Sequence, residues 1–187
     1  TKPVTATVAI KTTKLNRTAI GAKYRKTPSP VATPFPPLKT RYTGICGGDL
    51  MIKAGKHPRA VAPLVIGHEF TGAIHYVPDQ YRGGFSIGQR VVVNPLISCK
   101  KCRHCLSGHE HVCENLQLLG IEKGPGAFTE YVAVPQIERI HSIPDSVSDK
   151  NAALAEPLAV AVHAVDYAEL KIEDTVLVLG AGPIGLM

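Results

Sequence analysis

Residues 99–113 read Cys-Lys-Lys-Cys-Arg-His-Cys-Leu-Ser-Gly-His-Glu-His-Val-Cys, so four cysteines lie close together in the chain. Four thiolates at such short spacing surround one zinc ion tetrahedrally, at Zn–S distances of about 2.3 Å, and leave no coordination position open. A catalytic zinc needs an exchangeable position, so a closed site of this kind is structural. The sequence therefore predicts a structural zinc site formed by Cys99, Cys102, Cys105 and Cys113.

An iron–sulfur cluster and a chance group of buried cysteines are the alternative interpretations of this stretch. The bacterial ferredoxin pattern starts with the same spacing, but its last gap is shorter and its last cysteine precedes a proline. Here seven residues separate Cys105 from Cys113, and Glu114 follows. The stretch is also rich in Lys, Arg, His and Glu, which is not the composition of an apolar core. His104, His109 and His111 are expected to be exposed loop residues, because four thiolates already complete a tetrahedral shell.

The fifth cysteine, Cys46, stands far upstream, and an odd count with C-x-x-C spacing indicates metal chemistry in a reducing compartment rather than a disulfide framework. We therefore expect a cytoplasmic protein. The sequence has no apolar run long enough for a membrane helix and no secretory signal pattern, so no membrane partner is expected. Its 187 residues, 44% of them hydrophobic, are enough for one full domain and part of another.

The net charge of +6 is concentrated at the start of the chain. Residues 1–48 hold nine of the 21 basic residues and no acidic one, which leaves 12 − 15 = −3 for residues 49–187. A nucleic-acid-binding arm and an organelle transit sequence are alternatives for such a segment. The strand-like run Val4–Ile10 favours a part of the folded domain instead. Aromatic residues make up only 5% of the chain, so a zinc-knuckle nucleic-acid binder is disfavoured and no nucleic-acid partner is expected.

The pattern of apolar runs predicts two domains, at 1–150 and 151–187. Residues 1–145 look β-rich, with short apolar runs that Gly and Pro interrupt. The segment Thr27–Pro37, with five prolines, is predicted to be a loop or an edge strand. The strand-like runs in this part are Ala60–Ile66, Gly88–Val93 and Phe128–Val134.

From residue 148 onwards the pattern changes to helical. Ser148 and Asp149 are predicted to cap a helix over Ala152–Leu170. A strand-like run, Thr175–Leu179, follows the helix and leads into a glycine-rich turn. The domain boundary is expected between residues 145 and 155.

Three separate residues offer a second set of metal ligands: Cys46, His68 and Glu156. Each alone has an ordinary explanation, as a small buried cysteine, a structural histidine and a carboxylate at a helix start. Together they supply one sulfur, one nitrogen and one oxygen. This set suits a zinc site with three protein ligands and an exchangeable fourth position.

Six segments together resemble the zinc-dependent branch of the medium-chain dehydrogenases/reductases, in the order that this family has them. They are Gly44–Gly47, Gly67–Glu69, the stretch 99–113, Gly126–Tyr131, Glu156–Ala159 and Gly180–Gly185. The resemblance covers residues 42–187. It implies a mainly β, GroES-like catalytic domain with a zinc-binding lobe, followed by the start of an α/β Rossmann domain.

Glu156 places the chain nearest the branch that resembles sorbitol, butanediol and threonine dehydrogenases. The resemblance implies that Cys46, His68 and Glu156 bind a catalytic zinc, with Glu69 as an alternate ligand and Asp49 orienting the His68 ring. It further implies two zinc ions per chain and hydride transfer from an alcohol or polyol to NAD or NADP. The full-length form is expected to be a homodimer or homotetramer.

The turn Gly180-Ala181-Gly182-Pro183-Ile184-Gly185 has the G-x-G-x-x-G pattern of dinucleotide-binding sites. Gly180 permits the tight turn, Gly182 lets the backbone approach a pyrophosphate, and Gly185 permits close packing of the following helix. Pro183 and Ile184 complete the predicted cofactor-binding residues. The chain ends at Met187, so we expect a piece of a longer protein in which residues after about 170 depend on a partner.

The sequence departs from the family pattern where the proton of the alcohol is removed. The family usually has Ser or Thr two residues after the ligand cysteine, and here that residue is Gly48. A helpful His often lies five residues after the cysteine, and here that residue is Met51. His57 or Glu69 is a candidate substitute. A truncated or non-catalytic zinc-binding member of the family is the alternative interpretation.

Overall fold

A computed structural model describes residues 10–11, 35–81, 84–122, 124 and 126–187 of the chain. The run Val4–Ile10 and the first eight residues of Thr27–Pro37 lie almost wholly outside these ranges, so their predicted structure is not described. Among the described helices, none has both the length and the apolar character that crossing a bilayer requires.

An antiparallel six-stranded sheet organises the chain up to residue 142, as expected for a mainly β domain. Within the described residues the strands are β1 Ile10–Lys11, β2 Pro37–Thr43, β3 Phe70–Ile74, β4 Arg90–Val93, β5 Leu96–Ile97, β6 Gln117–Leu118, β7 Tyr131–Ala133 and β8 Ile140–Ser142. Strands β1, β2, β3, β4 and β8 are hydrogen-bonded in that order, and β7 pairs with the start of β2. A separate two-stranded ladder joins β5 and β6.

The core lies on one face of this sheet and is built from aliphatic side chains and one aromatic ring. Leu38 on β2, Phe70 and Ile74 on β3, Val91 on β4 and Val132 on β7 are each at most 2% exposed. Burying side chains of this size contributes about 1.5–3 kcal/mol each, so they fix the register of the strands that carry the candidate ligands.

The described residues also form five α-helices and three short 3₁₀ helices, the latter at Asp79–Tyr81, Glu110–Val112 and Ile137–Arg139. The α-helices are α1 Gly47–Lys53, α2 Arg103–Leu106, α3 Asp149–Ala152, α4 Ala155–Tyr167 and α5 Pro183–Leu186. The Ser148 hydroxyl accepts a hydrogen bond from the Asn151 amide at 3.2 Å, which confirms the predicted cap. The predicted helix over Ala152–Leu170 is interrupted at residues 153–154 and ends earlier, at Tyr167.

Two predicted strands are wrong. Ala60–Ile66 forms no ladder, because Pro63 has no amide hydrogen and Val61 is 80% exposed. Only its end is held, where the Val65 and Ile66 carbonyls accept hydrogen bonds from the amides of residues 126 and 128 at 2.7 and 3.0 Å. Thr175–Leu179 is exposed and forms no strand either, since none of the strands described in the structure pairs with it.

Two other predicted strands are shorter than expected. Gly88–Val93 contains β4 from residue 90 onwards, and Phe128–Val134 contains only the three residues of β7. The glycines and loop residues that precede each strand belong to turns, which is the usual place for errors in predicted boundaries.

Candidate metal centres and nucleotide turn

The four clustered cysteines converge as the sequence predicts. All four are free thiols, and their ligand atoms lie within 4.8 Å of one another. Cys102 Sγ lies 3.5 Å from Cys105 Sγ and 3.9 Å from Cys113 Sγ, and Cys99 Sγ lies 3.9 Å from Cys105 Sγ. A tetrahedron with Zn–S bonds of about 2.3 Å places its sulfurs about 3.8 Å apart, whereas a disulfide needs about 2.05 Å. The spacing therefore fits a metal ion and excludes a disulfide in this arrangement.

Backbone amides around these cysteines favour thiolates. The Cys102 amide donates to Cys99 Sγ at 3.4 Å, and the amides of Cys99 and Asn115 both donate to Cys113 Sγ at 3.3 Å. Hydrogen bonds from backbone amides lower the pKa of Cys99 to about 6, while burial raises the pKa of Cys105 to about 12. A cation at the centre would stabilise all four thiolates together.

Charged residues attach the cysteine-containing segment, residues 98–116, to the sheet. The Glu110 carboxylate receives Lys100 Nζ at 2.8 Å and the Ser98 hydroxyl at 2.8 Å, and it also pairs with Arg139. Lys100 Nζ lies 2.8 Å from Glu138 as well. We call this segment the cysteine lobe. This anchor to residues 138–139, directly before β8, was not predicted, because Arg139 is 29 residues from Glu110 and 41 from Ser98 in the chain.

A second candidate centre is formed by Cys46, His68 and Glu69, whose ligand atoms lie within 4.8 Å of one another. Cys46 precedes α1 as its N-cap residue, three positions after β2 ends. His68 and Glu69 come directly before β3. Because β2 and β3 are paired in the sheet, with Thr43 opposite Phe70, their adjoining ends bring the three side chains together.

The chemistry of this second centre suits a dication. His68 and Glu69 are 5% and 4% exposed, and Glu69 Oε2 is buried without a hydrogen-bond partner among the described residues. Burial raises the pKa of Cys46 to about 11, raises the pKa of Glu69 and lowers the pKa of His68. A bound dication favours the thiolate, the carboxylate and the neutral imidazole, so it would satisfy all three groups at once.

Asp49 lies behind His68, as expected, although the predicted hydrogen bond is not formed in this arrangement. Asp49 is 2% exposed, and its Oδ1 faces His68 Nδ1 at 3.7 Å, which is longer than a hydrogen bond. Its other oxygen accepts the Cys46 amide at 2.9 Å and so fixes the start of α1. This placement leaves His68 Nε2 as the nitrogen available to a metal.

Glu156, expected as the third ligand, is not among the residues that the structure brings within 4.8 Å of one another, whereas Glu69, expected as the alternate, is. Glu156 lies half-buried in the first turn of α4, and burial, together with repulsion from Glu69 and Asp49, raises its pKa to about 7. The carboxylate is therefore close enough to interact electrostatically with the centre. The position of α4 decides which carboxylate is nearer, and no sequence motif reports that position.

Gly44 makes room for the Glu69 carboxylate. A Cβ at Gly44 would lie 2.2 Å from Glu69 Oε2, and the Gly44 amide donates to the Glu69 carbonyl at 2.7 Å. Gly44→Ala is therefore expected to displace the carboxylate and to weaken cobalt(II) binding at this centre by about tenfold, which a titration followed by absorption measures. Gly47→Ala is the matched control, because its Cβ would meet no atom within 4 Å. Equal affinities in the two variants would show that Glu69 does not hold the metal.

Backbone contacts fix the segment that precedes His68. Gly67 has a φ of +102°, which strongly favours glycine. A Cβ at Gly120 would lie 2.5 Å from the Gly67 oxygen, and one at Gly126 would lie 2.5 Å from the Ile66 oxygen. The backbone at Gly67, Gly120 and Gly126 is thus packed closely next to the candidate ligand His68. No sequence motif indicated this role for the three glycines.

The predicted nucleotide turn has the expected local geometry. Gly180 has a φ of +111°, and Gly182 caps α5, with Pro183 as its first residue. A Cβ at Gly185 would lie 2.0 Å from the Gly180 oxygen, so the helix packs tightly on the turn, whereas a Cβ at Gly182 would meet no atom within 4 Å. The open side of Gly182 is the side on which a phosphate would approach.

The two positions where the family's relay residues are replaced, and the candidate substitute His57, differ in their surroundings. A Cβ at Gly48 would meet only Cys46 Sγ, at 3.8 Å, and Met51 is 47% exposed. His57 is held in place, because its Nδ1 accepts the amides of Arg59 and Ala60 at 3.3 and 3.2 Å. The remaining His57 nitrogen, Nε2, therefore carries the proton when the ring is neutral.

Comparison with known proteins identifies the same domain. A family model for the alcohol dehydrogenase GroES-like domain matches residues 37–145. Sorbitol dehydrogenase of Halalkalibacterium halodurans is 40% identical over 151 residues, which cover 80% of this chain and 43% of the relative.

Solved structures agree with this match. The Escherichia coli CFT073 alcohol dehydrogenase rspB, solved with NADH, has a TM-score of 0.74 at 40% identity and matches 81% of this chain and 43% of its own. Galactitol-1-phosphate dehydrogenase of Escherichia coli has a TM-score of 0.76 at 29% identity and matches 97% of this chain and 50% of its own.

The chain spans less than half the length of the curated relatives that it matches. The family model nevertheless covers more than half of this chain, and both convergent groups of candidate ligands lie inside the matched residues. The chain therefore belongs to the zinc-dependent medium-chain dehydrogenases/reductases and contains their alcohol dehydrogenase GroES-like domain.

Proposed function

We propose that the protein is a cytoplasmic, zinc-dependent oxidoreductase that transfers hydride between the secondary alcohol group of an alcohol or polyol and NAD or NADP. The observation that carries this proposal is the buried convergence of Cys46, His68 and Glu69 beside a second, closed group of four thiols. Relatives named as sorbitol and threonine dehydrogenases, and a structure solved with NADH, support the reaction class.

In this proposal the chain binds two zinc ions, a structural one at the four cysteines and a catalytic one at the second centre. Cys46 and His68 hold the catalytic ion, Glu69 or Glu156 supplies the carboxylate, and Asp49 orients the His68 ring. A zinc ion held there would act as a Lewis acid toward the substrate hydroxyl, and a bound nicotinamide would accept hydride from the carbinol carbon. Oxidation of a secondary alcohol in this way releases the hydroxyl proton and gives a ketone.

The protein's other contribution is to place the cofactor. Gly182 leaves the backbone open, and the amide of Ile184 in the helix that Pro183 begins would be available to a pyrophosphate. The resemblance to the family adds a homodimer or homotetramer of the full-length form to the proposal.

The direct test is hydride transfer by the full-length gene product, followed as NADH or NADPH formation across a panel of secondary alcohols and polyols. Metal analysis of the same sample is expected to give two zinc ions per chain. Two zinc ions without turnover on any substrate would favour the alternative, a non-catalytic member of the family.

Gly48→Ser is expected to increase turnover near neutral pH relative to Gly48→Ala, by up to about tenfold, because it returns a hydroxyl to the position where the family begins its proton relay. The space allows both side chains, since a Cβ there meets only Cys46 Sγ at 3.8 Å. The measurement is kcat against pH for the two variants, which differ only in the hydroxyl. Superimposable pH profiles would show that protons leave by another path, for which His57 or Glu69 is the candidate.

A further inference from the structure

Asp149, the first residue of α3, is held by side chains from three strands. Its Oδ2 accepts a hydrogen bond from Arg41 on β2 at 2.9 Å, and its Oδ1 accepts one from Arg90 on β4 at 2.7 Å. The Thr71 hydroxyl on β3 donates to the Asp149 carbonyl at 3.3 Å. Arg90 also donates to the Val147 carbonyl, so the guanidinium holds the backbone just before the helix as well. We call this arrangement the Asp149 clamp.

Two of the three clamped strands lead directly to the candidate ligands. β2 ends at Thr43, three residues before Cys46, and β3 begins at Phe70, next to Glu69. The Asp149 side chain is only 15% exposed, so its ion pairs are partly shielded from water. Charge-assisted hydrogen bonds of this kind fix orientation as well as contributing energy.

Asp149 is joined to Glu156 by α3, a short turn and the first residues of α4. Ala153 and Leu154, between α3 and α4, have right-handed helical backbone angles, so no extended linker separates the two helices. Ala152 and Ala153 are 6% and 1% exposed and pack this turn against the sheet. The backbone between Asp149 and Glu156 is therefore a short helix, one turn and the start of α4, so that a displacement of Asp149 is transmitted to Glu156 over only seven residues.

We propose that Asp149 is a positioning residue that sets the distance of the Glu156 carboxylate from the centre formed by Cys46, His68 and Glu69. The proposal rests on the proposed function only in requiring that this centre binds a metal. Burial raises the pKa of Asp149, but the hydrogen bonds and charges of Arg90 and Arg41 outweigh it, so the pKa lies below its usual range. The carboxylate therefore stays charged and the clamp stays closed at neutral pH.

A double-mutant cycle on cobalt(II) affinity of the full chain tests this proposal. Asp149→Asn is expected to weaken binding at the Cys46 centre by about tenfold, the usual size of an indirect effect on a metal ligand. In the Glu156→Gln background the same substitution is expected to change affinity less than about twofold, because the group that it positions is gone. Asp145→Asn is the matched control: it removes the same charge from an exposed position four residues earlier.

Cobalt bound by the four thiolates of the cysteine lobe has its own charge-transfer band, which reports binding at the lobe separately. The affinity of the lobe for cobalt is expected to be unchanged in every variant. If Asp149→Asn lowers the cobalt affinity of both centres, the cycle is repeated with Arg41→Gln, a milder substitution that removes one partner of the clamp. The change in affinity of the Cys46 centre in the two Glu156 backgrounds then decides whether the clamp positions Glu156. Equal losses in the two Glu156 backgrounds, or no loss in either, would overturn the positioning role alone. Cobalt binding only at the lobe in the unaltered protein would overturn the proposed function and this role with it.

Discussion

Cys46→Ser is expected to reduce the zinc content from two ions per chain to one and to lower turnover by roughly 10³-fold. Serine keeps the shape of the side chain but remains a neutral hydroxyl where a thiolate is required. The buried set of His68 and Glu69 then lacks the sulfur ligand that fixes the ion next to α1. A metal held by fewer ligands lowers the pKa of a substrate hydroxyl less, and each unit of that pKa corresponds to about 1.4 kcal/mol.

Metal content by atomic spectroscopy and NADH formation at saturating alcohol are the two measurements. Gly47→Ala, the neighbouring substitution for which the structure has space, is the control and is expected to keep both zinc ions. A Cys46→Ser protein that retains two zinc ions would place the second metal elsewhere in the protein and remove the basis of the proposed mechanism.

Cys105→Ser is expected to lower the free energy of unfolding more than Cys46→Ser does. With one thiolate missing, the cysteine lobe loses its closed zinc site, and much of its folding free energy comes from metal binding. We expect a loss of about 3–5 kcal/mol, which corresponds to a decrease of roughly 10 °C in the unfolding temperature of a chain of this size. Calorimetry measures the decrease, and limited proteolysis within residues 98–116 locates it.

The control for this substitution is His109→Ala. His109 is exposed in the same lobe and lies outside the group of four cysteines, with its ring nitrogen 3.1 Å from the Ser107 hydroxyl. It is expected to keep its zinc and its unfolding temperature within about 1 °C, as surface substitutions usually do. A loss of zinc in His109→Ala would mean that a histidine replaces one of the four thiolates.

Local spacing decided which parts of the site were predictable. The four cysteines lie within one short segment, so their convergence depends on a loop and not on the rest of the fold. Cys46 and His68 were predicted from motifs, and the pairing of β2 with β3 brings them together. Glu156 was expected as the ligand and Glu69 as the alternate, whereas the structure brings Glu69 into the group with Cys46 and His68. The sequence could not give this order, because the distance of Glu156 from the centre depends on how α4 sits against the sheet.

The wrong strands and the missed contacts also have physical causes. The apolar run ending at Ile66 looks like a strand, but a proline interrupts it and glycines 120 and 126 meet its end. The run Thr175–Leu179 has strand composition, but no strand within the described part of the chain pairs with it. Asp149 was predicted only as a helix-capping residue, since the arginines that hold it are 59 and 108 residues away in the chain.

The three glycines next to His68 restrict which substitutions this part of the site can accept. Any side chain at Gly120 or Gly126 would strike backbone atoms, which no compensating substitution nearby can shorten. Leu50 and Met51 on α1 are 58% and 47% exposed, so a change of side-chain size there meets no such backbone limit. Substitutions at these two positions are therefore expected to leave the position of His68 unchanged, whereas any side chain at Gly120 or Gly126 is expected to displace it.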